Sequence, residues 1–168
     1  MAIKDSILPE FDHEMQVTRS LLALVPEAKA EWKPHERSMS LGQLALHLAN
    51  LLQWAVLALE AAEYDMDADN SAATQARMFE GTTSLLATFD ENVQQARAKI
   101  DQAGDADLMA PWTLKKGGKA YFTIPKVAVL RSFVMNHGIN HRGQLSVYLR
   151  LNEVPLPNIY GPTADTPM

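Results

Sequence analysis

The chain has no cysteine among its 168 residues. That excludes a disulfide framework, a catalytic thiol of its own and any thiolate ligand, so a bound metal would have to be held by nitrogen and oxygen. It also lacks a basic excess: the formal net charge is -5, with a pI near 5.5. No general positive field is present to attract a nucleic acid, and none is expected as a partner. The first residues, MAIKDSILPEFDHEM, lack the basic start and unbroken apolar stretch of a secretory signal, which reads as a cytoplasmic protein. Glycine is sparse and internal repeats are absent. What is plentiful is apolar surface, 47% of residues, enough to give one compact domain a buried core, and residues 1–168 read as a single domain.

The most informative stretch is residues 135–150, MNHGINHRGQLSVYLR. Val127, Leu130, Val134, Leu145, Tyr148 and Leu149 recur at intervals of three and four, the mark of a helix with one buried face. His137 and His141 fall on that face, and at i and i+4 both imidazoles can point at one atom. The competing reading is a buried pair whose nitrogens are satisfied by hydrogen bonds. A third core histidine decides between them, and His47 is the candidate.

His47 belongs to an apolar run over residues 41–62, announced by Ser40 and Gln43 at capping-box spacing. A run apolar nearly all round is central in a bundle, shared with a partner subunit, or membrane-spanning. Gln43, His47 and Asn50 share one face at i, i+4 and i+7, and Gln53 interrupts the run further on. In lipid these polar groups would lack partners, so no membrane is expected. The surplus apolar surface predicts a homodimer that buries some of Leu51, Trp54, Leu57 and Leu59.

The rest of the chain supplies the frame. Ile7, Leu8, Phe11, Met15, Leu21, Leu22 and Val25 predict a first helix over 7–25, with Pro9 in its first turn and Pro26 closing it. His13 falls on its outer flank, and His35 falls in a loop over residues 26–39 that contains two prolines. Asp65, Asp67 and Asp69 imitate the opening of a calcium loop, but Asn70 stands where glycine is needed and Ala76 where a bidentate glutamate is needed, so the stretch reads as a solvated linker. A third helix is predicted from Ala72 to about Asp101. Gly117-Gly118 inside WTLKKGGKAYFTI predicts a small hairpin, whose tip gathers Lys115, Lys116 and Lys119. The last helix follows and ends near Asn152, and the proline-rich tail runs extended over the surface.

These elements predict an all-α fold, a four-helix bundle with a small β-hairpin before the last helix, with two ligands from helix four and one from helix two. Three neutral imidazoles suit zinc, nickel, iron or cobalt alike. With no fourth protein ligand in view, a position stays open for water or substrate, which points to catalysis rather than a closed structural site. Asn50, Asn136 and Gln144 are candidates for contacts behind the ligands or with a small-molecule substrate.

His47 in LGQLALHLANL, then NHGINHRGQLSVYLR, then VPLPNIYGP resembles the DinB superfamily, also called DinB/YfiT-like, a group of metalloenzymes. The resemblance spans nearly the whole chain, and its most specific part is H-x-x-x-H-R-G-Q from His137 to Gln144. It implies an up-down-down-up four-helix bundle, often homodimeric, with a divalent transition metal on His47, His137 and His141. Asn140 departs from the pattern, since many members carry an additional histidine there. Members of known chemistry include transferases and isomerases that use a low-molecular-weight thiol such as bacillithiol, mycothiol or glutathione. The family name refers to induction by DNA damage, not to DNA binding. The implied function is a metal-dependent transferase using an external thiol, and the alternative is a non-catalytic metal- or ligand-binding bundle of a stress response.

Overall fold

The structure is a computed structural model that describes residues 1–68 and 78–167. Helix α1 spans Ile3–Leu22, and a single 3-10 turn, Glu27–Lys29, follows it. Its buried stripe is Ile7, Phe11, Glu14, Met15, Thr18, Leu21 and Leu22, so two polar residues complete the apolar period seen in the sequence. The helix starts four residues earlier than expected, which puts Pro9 inside it rather than in its first turn. A proline there removes one backbone hydrogen bond and is tolerated because the buried face carries the helix.

Helices α2, Leu41–Asn50, and α3, Gln53–Glu60, form the expected second helix with a short break between them. The capping box is made in both directions: the Ser40 N–H donates to Gln43 Oε1 at 2.9 Å, and the Gln43 N–H donates to Ser40 Oγ at 3.3 Å. At the break the Trp54 N–H bonds the Leu51 carbonyl and the Ala55 N–H bonds the Leu52 carbonyl, a local tightening to i→i−3. By length and composition Leu41–Glu60 could cross a membrane, yet 56% of its most apolar window is buried within the fold. Its all-round apolarity has an internal explanation. Leu44, Leu48, Leu51 and Leu52 enter the main core with Phe11, Leu22, Leu85, Phe89, Ile100, Leu130 and Leu145, whereas Ala58 enters a second cluster with Trp112, Leu114 and Val129. Full burial of each large side chain contributes about 1.5–3 kcal/mol.

The stretch read as a linker forms β1, Glu63–Asp65, which pairs in parallel with β2, Pro111–Lys116. Helix α4, Thr82–Gln102, and the short α5, Asp105–Met109, lie between them. The expected start of α4 at Ala72, with Ala76, and the calcium-loop positions Asp69 and Asn70 lie outside the described residues. Strand β3, Lys119–Pro125, pairs antiparallel with β2 through Gly117 and Gly118, both at positive φ as a two-residue hairpin turn requires. The fold is therefore mostly helical with a small three-stranded sheet, ordered β1-β2-β3.

Asp65 explains why the third strand is there. Its Oδ1 accepts from the N–H groups of Asp67 at 3.0 Å and Gly117 at 3.1 Å, and its Oδ2 accepts from Gly118 at 2.6 Å. These hydrogen bonds, with Lys115 nearby, hold its carboxyl below the usual range. The basic hairpin tip thus receives its anion from within the chain, and Lys115 pairs with Glu63 at 2.6 Å.

The last helical run is continuous but changes pitch: α6, Lys126–Val129, then a π-helical segment, Leu130–Asn136, then α7, His137–Leu151. The wide turns end where the first histidine of the pair begins, a position at which such segments often mark a functional site. Beyond α7 the tail folds back, with Val154, Leu156 and Ile159 packed against the core.

Candidate metal centre

The second and last helical runs face each other, and that pairing brings the three histidines together. His47 Nε2 lies 3.5 Å from His137 Nε2, and His137 Nε2 lies 2.8 Å from His141 Nε2. Their ligand atoms all lie within 4.8 Å of one another. Zinc bound to imidazole at about 2.0–2.1 Å in a tetrahedron separates its nitrogens by roughly 3.3 Å, so this spacing and donor set fit a divalent transition metal. Among the described residues no carboxylate joins the cluster.

Gln144 fixes the state of one ring. Its Oε1 lies 2.9 Å from His141 Nδ1, and an amide oxygen only accepts, so Nδ1 donates to it and Nε2 is the nitrogen turned to the cluster. Two imidazole nitrogens 2.8 Å apart require a proton or a cation between them. Burial, followed by the neighbouring His141 and His137, lowers the His47 pKa from 6.5 to about 4. Burial, then His141, lowers that of His137, with the Phe133 backbone pulling the other way. At neutral pH these two rings are therefore uncharged, the form that binds metal.

The other candidates divide. Asn136 is exposed at the start of α7, and the side chains of His13 and His35 lie exposed away from the cluster. Asn50 is half-buried one turn after His47, and its Oδ1 is cut off from solvent without a hydrogen-bond partner. Two groupings escaped the sequence. The first is a seam of rings, in which Trp54 meets Phe133 at 5.8 Å, Tyr64 at 5.4 Å and Trp112 at 6.2 Å between centroids. The second is a closed polar cluster: Arg142 Nη2 lies 2.6 Å from Glu14 Oε2, Nη1 donates to the Glu14 carbonyl at 3.1 Å and to Thr18 Oγ1 at 3.3 Å. The Tyr160 hydroxyl from the tail donates to Glu14 Oε2 at 2.8 Å, and the guanidinium also contacts that hydroxyl and lies 5.0 Å from the ring centroid. A signal for it existed, since Glu14 and Thr18 fall on the buried stripe of α1 and Arg142 lies three residues before Leu145 on that of α7.

The profile of the DinB superfamily matches residues 10–145. Solved structures similar to this chain include a DinB-like protein from Bacillus subtilis, at 23% identity and a TM-score of 0.68, covering 92% of this chain and 97% of the other. A DinB-like protein from Bacillus cereus is similar at 15% identity and a TM-score of 0.72, covering 95% and 98%. No match is found among proteins of curated function. A profile match over most of the chain, on a fold shared with DinB-like proteins and with a three-histidine cluster at its centre, makes this protein a member of the DinB superfamily.

Proposed function

We propose that the chain is a divalent-metal-dependent enzyme, a transferase that joins a low-molecular-weight thiol to a small molecule, with His47, His137 and His141 as the metal ligands. The observation that carries this reading is the convergence of three imidazole nitrogens with no carboxylate closing the set among the described residues. When bound, a zinc, nickel, iron or cobalt ion would supply a Lewis acid that favours the thiolate form of an external thiol. The chain's own part is to keep His47 and His137 neutral by burial, to hold His141 through Gln144, and to leave one side of the cluster to the substrate. Without cysteine, the nucleophile must come from outside.

Element-specific analysis of protein purified without nickel resin or chelator tests the metal, with about one equivalent expected. In His137→Ala, metal uptake should be lost while the unfolding midpoint of the apoprotein stays near that of the wild type, because the core is complete without the ion. Wild type at a free metal concentration 100 times Kd should gain about 2.7 kcal/mol that the variant does not. Loaded wild type should also conjugate a small thiol to an electrophile faster than the variant. Protein that takes up no transition metal refutes the proposal, and a variant that unfolds with metal loss makes the site a structural one in a non-catalytic stress-response bundle.

The same reading takes the four long helical runs as an up-down-down-up four-helix bundle, and the protein as cytoplasmic and homodimeric. Leu51 is already spent in the chain's own core, so the dimer surface would draw on the half-buried Leu57 and Leu59. Sedimentation at micromolar concentration should give twice the monomer mass, and a monomer there removes the dimer from the proposal.

A further inference from the structure

Gln144 stands apart from the residues that build the core. It is exposed on α7, one turn after His141, and its Oε1 lies 2.9 Å from His141 Nδ1. A side-chain pair on an exposed helix face adds little to folding. Its consequence lies in the ring. An imidazole that binds metal through Nε2 keeps its hydrogen on Nδ1, and an acceptor at that hydrogen fixes the plane of the ring and makes Nε2 a stronger ligand. For His137 the backbone of Phe133 pulls the ring pKa upward, and a backbone group offers no choice of charge. For His141 the acceptor is a side chain, where glutamine and glutamate differ by one unit charge and almost nothing in shape. The other charges near the cluster are already answered. His47 and His137 are uncharged at neutral pH, no carboxylate joins the three rings among the described residues, and the Arg142 guanidinium next in sequence is paired with Glu14 at 2.6 Å. A divalent ion on neutral rings backed by a neutral amide would keep its whole charge.

We infer that Gln144 is a positioning residue that sets the charge of the centre: it orients His141 for metal binding while leaving the centre cationic, so that the open side favours an anionic ligand. A carboxylate in its place would hold the ring at least as well and cancel part of the charge that attracts the anion. The amide therefore gives up some grip on the metal in exchange for a stronger pull on what binds next. This inference deepens the proposed metal site and rests on it.

Cobalt supplies the readout, because its visible spectrum reports both uptake and a change of ligand. The full chain, as wild type and two variants, is titrated with cobalt at neutral pH and then, once loaded, with azide as the anionic probe and pyridine as the neutral one. In Gln144→Leu cobalt should bind about 10–100-fold more weakly, while the apoprotein melts at the wild-type temperature and azide binds the loaded variant as it binds wild type. In Gln144→Glu cobalt should bind at least as tightly as in wild type, azide about tenfold more weakly, and pyridine nearly unchanged. One variant moves the metal and spares the anion, and the other moves the anion and spares the metal; a merely structural role produces neither pattern. Equal cobalt affinity in Gln144→Leu overturns the positioning role. So does an apoprotein of that variant that melts well below wild type, since the amide would then be holding the fold. Unchanged azide affinity in Gln144→Glu overturns the assignment of charge. A wild type that takes up no cobalt is a separate result, which removes the metal reading and this one with it.

Discussion

His141 and Arg142 are neighbours on one helix and serve clusters of opposite character. Arg142 is 1% exposed and meets a carboxylate, a carbonyl, a threonine hydroxyl and a tyrosine, so its charge is answered entirely by the chain. His141 joins two other half-buried imidazoles, and their ring nitrogens face one another. One group of polar residues is closed by the chain itself, and the other brings together three imidazoles that could hold a metal ion. Both cost desolvation, and the first returns it as an ion pair with charge-assisted hydrogen bonds. The difference separates a polar cluster that fastens elements together from one whose donor set suits a metal ion, and burial alone does not distinguish them.

The largest way to break the comparison is Arg142→Ala. It strands the Glu14 carboxylate, whose side chain is only 8% exposed, and frees the tail residue Tyr160 from its guanidinium contact. Loss of one partner of a buried pair costs about 3–5 kcal/mol, read as a lower urea midpoint of the apoprotein. Below that transition the folded variant should still take up one metal ion, because the three imidazoles are untouched. Unchanged stability would show that the closed cluster fastens nothing.

The open cluster should be the one that acid attacks. His47 has a folded pKa of about 4 against 6.5 unfolded, so between these values the unfolded chain binds more protons than the folded one. Its contribution to apoprotein stability is complete above pH 6.5 and declines as pH falls toward 4. A tenfold difference in proton affinity between the two states corresponds to about 1.4 kcal/mol, but the ring is half exposed and solvent screening leaves about a third of the full effect, or about 1 kcal/mol. Urea midpoints of wild type and His47→Gln across this window check it: the variant should show the shallower acid slope.

Much of this was legible in the sequence, for local reasons. His137 and His141 stand out because a helix repeats every 3.6 residues, His47 because it breaks an apolar run, the cap at Ser40 because its partner is three residues away, and the hairpin because Gly117-Gly118 suits one turn. What stayed hidden depends on residues far apart. Glu63–Asp65 becomes a strand only by pairing with Thr113, Leu114 and Lys115, some fifty positions on, and a carboxylate in an acidic run gives no sign that its partners are two glycine amides across a sheet. The pitch change over Leu130–Asn136 likewise leaves no mark in the apolar period. The Glu14–Arg142 pair occupies core positions of two helices, and a pattern built from apolar residues alone passes over it.

Tyr160→Phe sharpens the comparison at the smallest scale. The hydroxyl bonds both Glu14 oxygens, at 3.0 and 2.8 Å, while the residue as a whole stays 64% exposed, so its removal opens the edge of the closed cluster without emptying its middle. Burial first, then the bond to Glu14, raises the phenol pKa, which keeps the hydroxyl protonated and donating at neutral pH. Glu14 still has Arg142 after the substitution, so no charge is stranded, and the cost is one charge-assisted hydrogen bond at a wet edge, about 1 kcal/mol. Differential scanning calorimetry of the apoprotein should show a correspondingly small drop in Tm, with metal affinity by titration unchanged. A fall in metal affinity as large as the fall in stability would mean that the tail acts on the histidines through Arg142, and that the two clusters work as one.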